Sequence, residues 1–91
     1  MPVHNPYEGE VLHNPELSRF EIHQEQQVAV LQYRLRGDTI TFTHTGVPKE
    51  LEGRGFGSRL VHAGLAYARQ QGLTIRSTCW FVDKFLERHQ E

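Results

Sequence analysis

The sequence predicts an α+β domain built on a mixed sheet: three to four antiparallel strands, then a helix, a parallel strand and a second helix. Three observations carry this. Apolar and polar residues alternate in three segments between residues 19 and 47, the period of a half-buried strand. Gly37-Asp38 falls between two of these segments as a two-residue hairpin signal. From Phe56 onward the apolar and small residues switch to helical spacing.

Residues 1–9 read as a loose arm, with Pro2 and Pro6 opposing regular structure, and residues 10–91 as one domain. A short strand over residues 10–14 is closed by the turn pair Asn14-Pro15. In residues 19–23, Phe20 and Ile22 point away from their charged neighbours. The polar run Gln24-Glu25-Gln26 then turns the chain. Residues 27–36 form the next strand, with Ala29, Leu31, Tyr33 and Leu35 on one face and Val28 and Val30 on the other. In residues 39–47, Ile40, Phe42 and His44 share a face opposite Thr41, Thr43 and Thr45, and Pro48 ends the strand by removing a ladder donor.

Phe56, Leu60, Val61, Gly64, Leu65 and Ala68 form the stripe of the first helix, and Gly72 stops it. Residues 73–77 are a short strand. Because it follows a crossover helix, it runs parallel to the strand at 39–47. Residues 80–89 give a second amphipathic helix through Phe81, Val82, Phe85, Leu86 and His89.

Composition removes several classes of function. A chain of 91 residues holds one domain, which excludes an enzyme with separate cofactor and substrate domains. The single cysteine excludes an intrachain disulfide scaffold, and it points to a reducing, cytoplasmic setting. No apolar run approaches the roughly 20 residues of a membrane helix, so no membrane role is expected. The first ten residues also lack the pattern of a signal peptide. Ten Lys+Arg against eleven Asp+Glu leave a formal charge of −1, which argues against a nucleic-acid partner. His4, His13, His23, His62 and His89 lack metal-ligand spacing with Cys79, so no metal is expected.

The segment Glu50-Leu51-Glu52-Gly53-Arg54-Gly55-Phe56-Gly57-Ser58 links the strand at 39–47 to the first helix. Glycines at alternate positions let backbone approach a ligand closely. A helix start beyond them offers unpaired N–H groups and a positive dipole end. Arg54 adds a fork of donors suited to phosphate. The Gly-x-Gly-x-Gly spacing differs from the dinucleotide fingerprint, and the lysine of a P-loop is absent. Two readings stand on this chemistry: a pyrophosphate cradle, or a glycine turn used only for packing.

The segment resembles motif A of the GNAT acetyltransferases, Arg/Gln-x-x-Gly-x-Gly/Ala, with Glu52-Gly53-Arg54-Gly55-Phe56-Gly57 as its counterpart. His44-Thr45-Gly46-Val47-Pro48 and Thr78-Cys79-Trp80-Phe81-Val82 extend the likeness. Over residues 13–91 the chain is similar to small single-domain N-acetyltransferases with a minimal GNAT fold. The resemblance implies acetyl-CoA as cofactor and transfer of its acetyl group to an amine of a small molecule or peptide. It implies that Arg54, Gly55, Phe56, Gly57 and Ser58 hold the pyrophosphate, and that Thr45 and Val47 pair with the pantetheine arm.

Three positions depart from the family pattern. Glu52 stands where Arg or Gln is usual, and must face solvent or pair with Arg54 if CoA is to bind well. Gly46 stands where Glu is frequent, and Phe81 where Tyr is frequent. The helices that full-length relatives carry between their first strands are missing. The acceptor site is therefore open, or completed by a second copy or a partner. These departures keep a rival reading alive: a non-catalytic CoA-binding or protein-interaction module.

Cys79 precedes the second helix, where the dipole favours its thiolate. By resemblance, the thioester lies between the strand before it and the strand at 39–47. Cys79 would then take the acetyl group or protonate the leaving thiolate, with His44 as its base. The plainer readings are an inert thiol beneath Trp80 and a core histidine. Lys84 and Arg88 form a solvated helix face, or Lys84 reaches a CoA phosphate.

Overall fold

The computed structural model describes residues 6–88. Strands β1 (Val11–Asn14), β2 (Arg19–Gln24), β3 (Gln27–Arg36), β4 (Thr39–Gly46) and β5 (Thr74–Ser77) form one sheet in sequence order. The first four are antiparallel, and β5 runs parallel to β4. Helix α1 (Phe56–Gln70) is the crossover between them, and α2 (Trp80–Arg88) follows β5. Two short 3-10 turns, Pro15–Leu17 and Lys49–Leu51, are additions that periodicity did not signal. His89, expected at the end of the second helix, and His4 lie outside the described residues. Of the expected arm, residue 9 is tied to the sheet, its N–H donating to His23 C=O at 2.8 Å.

Turn chemistry sets the register. Gly37 takes a φ of 57° between β3 and β4, the positive value a II′ turn asks of its first central residue. The β2–β3 turn places Glu25 and Gln26 at φ 54° and 65°, costly for residues with a side chain. Both turns keep Phe20, Ile22, Ala29, Leu31, Tyr33, Ile40 and Phe42 on one face, all buried. Helix α1 covers that face with Leu60, Val61, Leu65 and Ala68. It approaches closely because position 64 is glycine. A Cβ there would lie 2.9 Å from both Leu31 Cδ2 and Phe42 Cε1. Val82 and Phe85 of α2 close the same core.

The expected alternation of β4 is corrected at one residue. Tyr33 pairs with Phe42, but Gln32 pairs with His44, so Thr43 is an extra residue in β4. Such a bulge reverses the faces beyond it. Thr45 pairs with buried Leu31 and joins the core side, whereas His44 turns to the opposite face and is exposed. His44 does not share a face with Ile40 and Phe42.

That opposite face carries no helix among the described residues, and on it Leu12, Val28 and Val30 sit among polar and charged side chains. Its one buried acid is Glu21, which accepts from Arg19 at 2.6 Å and Asn14 at 3.1 Å and pairs with His23 at 2.9 Å. Burial alone would raise its pKa. The bonds from His23, Arg19 and Asn14 and the Arg19 charge outweigh this and hold it at about 2. On the core side, His13 stacks on Phe20 at 4.3 Å and shares a 2.6 Å hydrogen bond with the Tyr33 hydroxyl. Burial lowers the His13 pKa, which keeps the ring neutral inside the aromatic cluster.

Candidate functional site

The last β4–β5 ladder pair is Phe42 with Ser77, followed by one bond from Thr78 N–H to Phe42 C=O at 2.9 Å. Beyond it β4 and the chain after β5 fork. A groove of about 570 Å³ lies at the fork, lined by Thr45, Gly46, Val47, Leu51, the loop residues Glu52, Gly53 and Gly55, the first turn of α1 (Phe56, Gly57, Ser58) and Phe81. Thr45, Val47, Gly55, Phe56, Gly57 and Ser58 are thus brought together around one groove.

The glycines have distinct reasons to be there. Gly53 and Gly55 take φ values of 77° and 84°, which side chains rarely adopt. Gly57 lies under the Phe81 ring, where a Cβ would sit 3.0 Å from Phe81 Cζ. Gly55 occupies the N-cap position of α1, and no side chain caps the helix. The first amides of α1 have no intrahelical acceptor by helix geometry, and the residues that carry them, Phe56, Gly57 and Ser58, line the groove.

Arg54 does not line the groove. Its Nη2 donates to Glu25 Oε2 at 2.6 Å, and its guanidinium lies over the Phe56 ring at 5.5 Å. This contact lowers the Glu25 pKa and ties the loop to the β2–β3 turn. Arg54 therefore does not pair with Glu52, which is exposed at the groove edge. Lys84 sits over the exposed Trp80 ring at 5.8 Å, and both line a smaller hollow of about 160 Å³ that shares Ser58 and Phe81 with the groove.

Cys79 is the N-cap of α2, and its C=O accepts from Asp83 N–H at 2.9 Å. Ser77 Oγ locks the turn, accepting from Cys79 N–H and donating to Cys79 C=O, both at 3.1 Å. Cys79 Sγ lies 3.4 Å from Thr45 Oγ1. Burial pushes the thiol pKa up. The Thr45 hydroxyl and the backbone of Val82, Phe81 and Thr45 pull it down further, and the net result is below the ordinary 9.0. The sulfur stands behind the groove wall, one hydrogen bond away through Thr45.

The pairing of Cys79 with His44 is corrected. The bulge at Thr43 sends His44 to the other side of the sheet, and Thr45 takes its place beside the sulfur. Nothing in the sequence marks Thr43 as a bulge, since it is one threonine among several. The packing of Phe81 on Gly57 and the Arg54–Glu25 bridge are also tertiary, and neither has a local signal.

Comparison with known proteins bears on the family and the fold. A family model described as GCN5-related N-acetyl-transferase matches residues 19–91. The chain is 36% identical over 62 residues to Protein NATD1 of Bos taurus and 34% identical over the same length to that of Homo sapiens. Each alignment covers 67% of this chain and 55% of the relative, so the chain spans about half the length of the curated relatives it matches. A solution structure of a GCN5-like protein from Staphylococcus aureus superposes with a TM-score of 0.70 at 31% identity, covering 88% of this chain and 79% of that one. This chain belongs to the GCN5-related N-acetyltransferase family.

Proposed function

We propose that the chain binds acetyl-CoA along the groove and transfers the acetyl group to an amine. The observation that carries this is the groove itself, which joins the uncapped start of α1 to the end of β4 at the fork beside Cys79. The residues fit such a ligand. Gly53 and Gly55 leave backbone bare where a diphosphate must come close, and the first amides of α1 supply donors without a competing side chain. Thr45, near the end of β4, and Val47, just past it, line the groove and offer backbone groups to an amide-bearing arm. Acetyl-CoA supplies an acyl group activated as a thioester.

The chain's own residues hold and move protons. Cys79, with its lowered pKa, serves in either of two ways. As thiolate it attacks the acyl carbon; an S–C bond forms, the thioester C–S bond breaks, and the amine later displaces the sulfur. As thiol it gives its proton to the departing thiolate while the amine attacks directly. His44, exposed on the helix-free face, receives the proton the amine loses when it enters from that side. Holding donor and acceptor at one fork supplies much of the rate.

Two measurements test this. Acetyl-CoA at millimolar concentration should raise the melting temperature, because a ligand of the folded state stabilises it. Intact mass after incubation should show one acetyl adduct that disappears in Cys79→Ser if transfer runs through the thiol. A melting shift with neither adduct nor turnover on an amine panel would support a CoA-binding module instead. No shift would overturn the groove assignment.

A further inference from the structure

The helix-free face of the sheet ends in a basic field that the transfer chemistry does not use. Arg34 pairs across the ladder with Thr41, and Thr41 pairs with Arg76, so the three lie in one row on one face. Arg36 pairs with Thr39, and Thr39 with Thr74, in the next row of that face. Arg34, Arg36 and Arg76 are all exposed. Among the described residues none of the three forms an ion pair or side-chain hydrogen bond. Strand spacing puts Arg34 and Arg76 about 10 Å apart and Arg34 and Arg36 about 7 Å apart at their backbones. The strand acid on this face, Glu21, is already held by Arg19 and His23, and Asp38 stands in the turn beyond Arg36. In a chain whose net charge is −1, an unneutralised row of arginines bordered by threonines is a segregated field.

We infer that this face docks an acidic peptide segment whose lysine or terminal amine is the acetyl acceptor. The inference rests on the acetyl-transfer reading. Arg76 precedes Cys79 by three residues, and Thr41 precedes Thr45 by four. Extended chain covers such gaps in about 10–13 Å. Carboxylates on the arginine row therefore lie three to five residues from an amine at the fork, with His44 between them on the same face. Guanidinium groups bind carboxylates in planar pairs, which suits aspartate or glutamate side chains held at strand spacing. A nucleic acid fits less well, because three arginines neutralise few phosphates and the rest of the chain repels them.

The test uses a fluorescein-labelled peptide with one central lysine and glutamates three to five residues to either side, and a copy with glutamines in their place. Anisotropy should show binding of the acidic peptide that weakens with salt and weakens about tenfold in Arg34→Gln/Arg36→Gln/Arg76→Gln. Arg69→Gln, on the exposed side of α1, should leave it unchanged. The triple variant should keep the wild-type acetyl-CoA melting shift, which shows that it folds. With turnover, kcat/KM should favour the acidic peptide through KM, and the triple variant should abolish that preference. Equal binding to wild type and triple variant, equal loss in Arg69→Gln, or equal binding of an oligonucleotide of the same charge each overturns the proposal. Acidic-peptide binding without any turnover leaves the docking face standing and removes the transfer reading.

Discussion

Helices α1 and α2 both begin at the rim of the groove, and they begin in opposite ways. The start of α1 is bare: a left-handed glycine in the cap position, no capping side chain, and glycine backbone in front of it. The start of α2 is filled by its own chain, with the Cys79 sulfur drawing on the first-turn backbone and Ser77 bonded to the cap residue twice. A cap is worth about 0.5–2 kcal/mol to a helix. Leaving α1 without one gives up that stability and keeps its donors free for an anion. Spending the α2 donors on sulfur stabilises the helix and holds a thiol in its more acidic form. One helix start is left open toward the groove, and the other is closed around a thiol whose pKa is lowered.

The comparison breaks most sharply if the open start is filled. Ser58→Glu puts a carboxylate into the first turn of α1. It should stabilise the free protein by about 0.3–1 kcal/mol through the helix dipole. It should also weaken acetyl-CoA by about 100-fold through repulsion of the diphosphate, seen as loss of the melting shift. A variant that melts higher and still shifts fully with acetyl-CoA would mean that the ligand does not use this helix start.

The next effect is on the filled start. Cys79→Ala removes the cap of α2 and should cost about 1 kcal/mol, a fall of roughly 4–8 °C in Tm for a domain of this size. Cys79→Ser keeps an acceptor and should recover most of it. Equal melting of all three proteins would show that the sulfur does not cap the helix. The same thiol gives a smaller, pH-dependent term. Its folded pKa lies below 9.0, so the stability it adds is fully present above that value and is lost as pH falls through the folded pKa. The Tm difference between wild type and Cys79→Ala should therefore widen from neutral pH toward pH 9, and thiolate absorbance should titrate below 9.0. A difference that narrows over that range contradicts the sign.

The smallest effect concerns Arg54. It bridges to Glu25 in solvent rather than lining the groove. Arg54→Ala should leave Tm within error and weaken acetyl-CoA only about threefold, by loosening the loop. A loss comparable to that of Ser58→Glu would mean that Arg54 leaves Glu25 for the ligand.

Much of this was legible in the chain. The strands of the meander, both helices and the parallel last strand follow from period, turn residues and the return of the chain through a crossover helix. The loop glycines were legible for the same reason: glycine spacing is a local backbone signal, and Gly53 and Gly55 indeed take conformations that only glycine favours. The partner of Cys79 was not. Alternation places His44 with Phe42, and only pairing to β3 inserts Thr43 as an uncounted residue. Bulges depend on the register of two strands, and a single strand's composition does not encode that. Arg54 was likewise assigned to phosphate by its neighbours in sequence, whereas Glu25, 29 residues away, holds it. The arginine row was not legible either, because no local pattern shows that three arginines from two strands converge on one face.

The bulge at Thr43 also partitions what substitution can change. Past it, positions 45 and 47 belong to the groove, while the side chain of 44 and any added at 46 project to the bare face, where a Cβ on Gly46 would meet His44. Neighbouring residues of one short segment therefore present their side chains to separate surfaces. On the proposed reading, a side chain changed at 44 or added at 46 would alter the face the acceptor meets, while one changed at 45 or 47 would alter the groove.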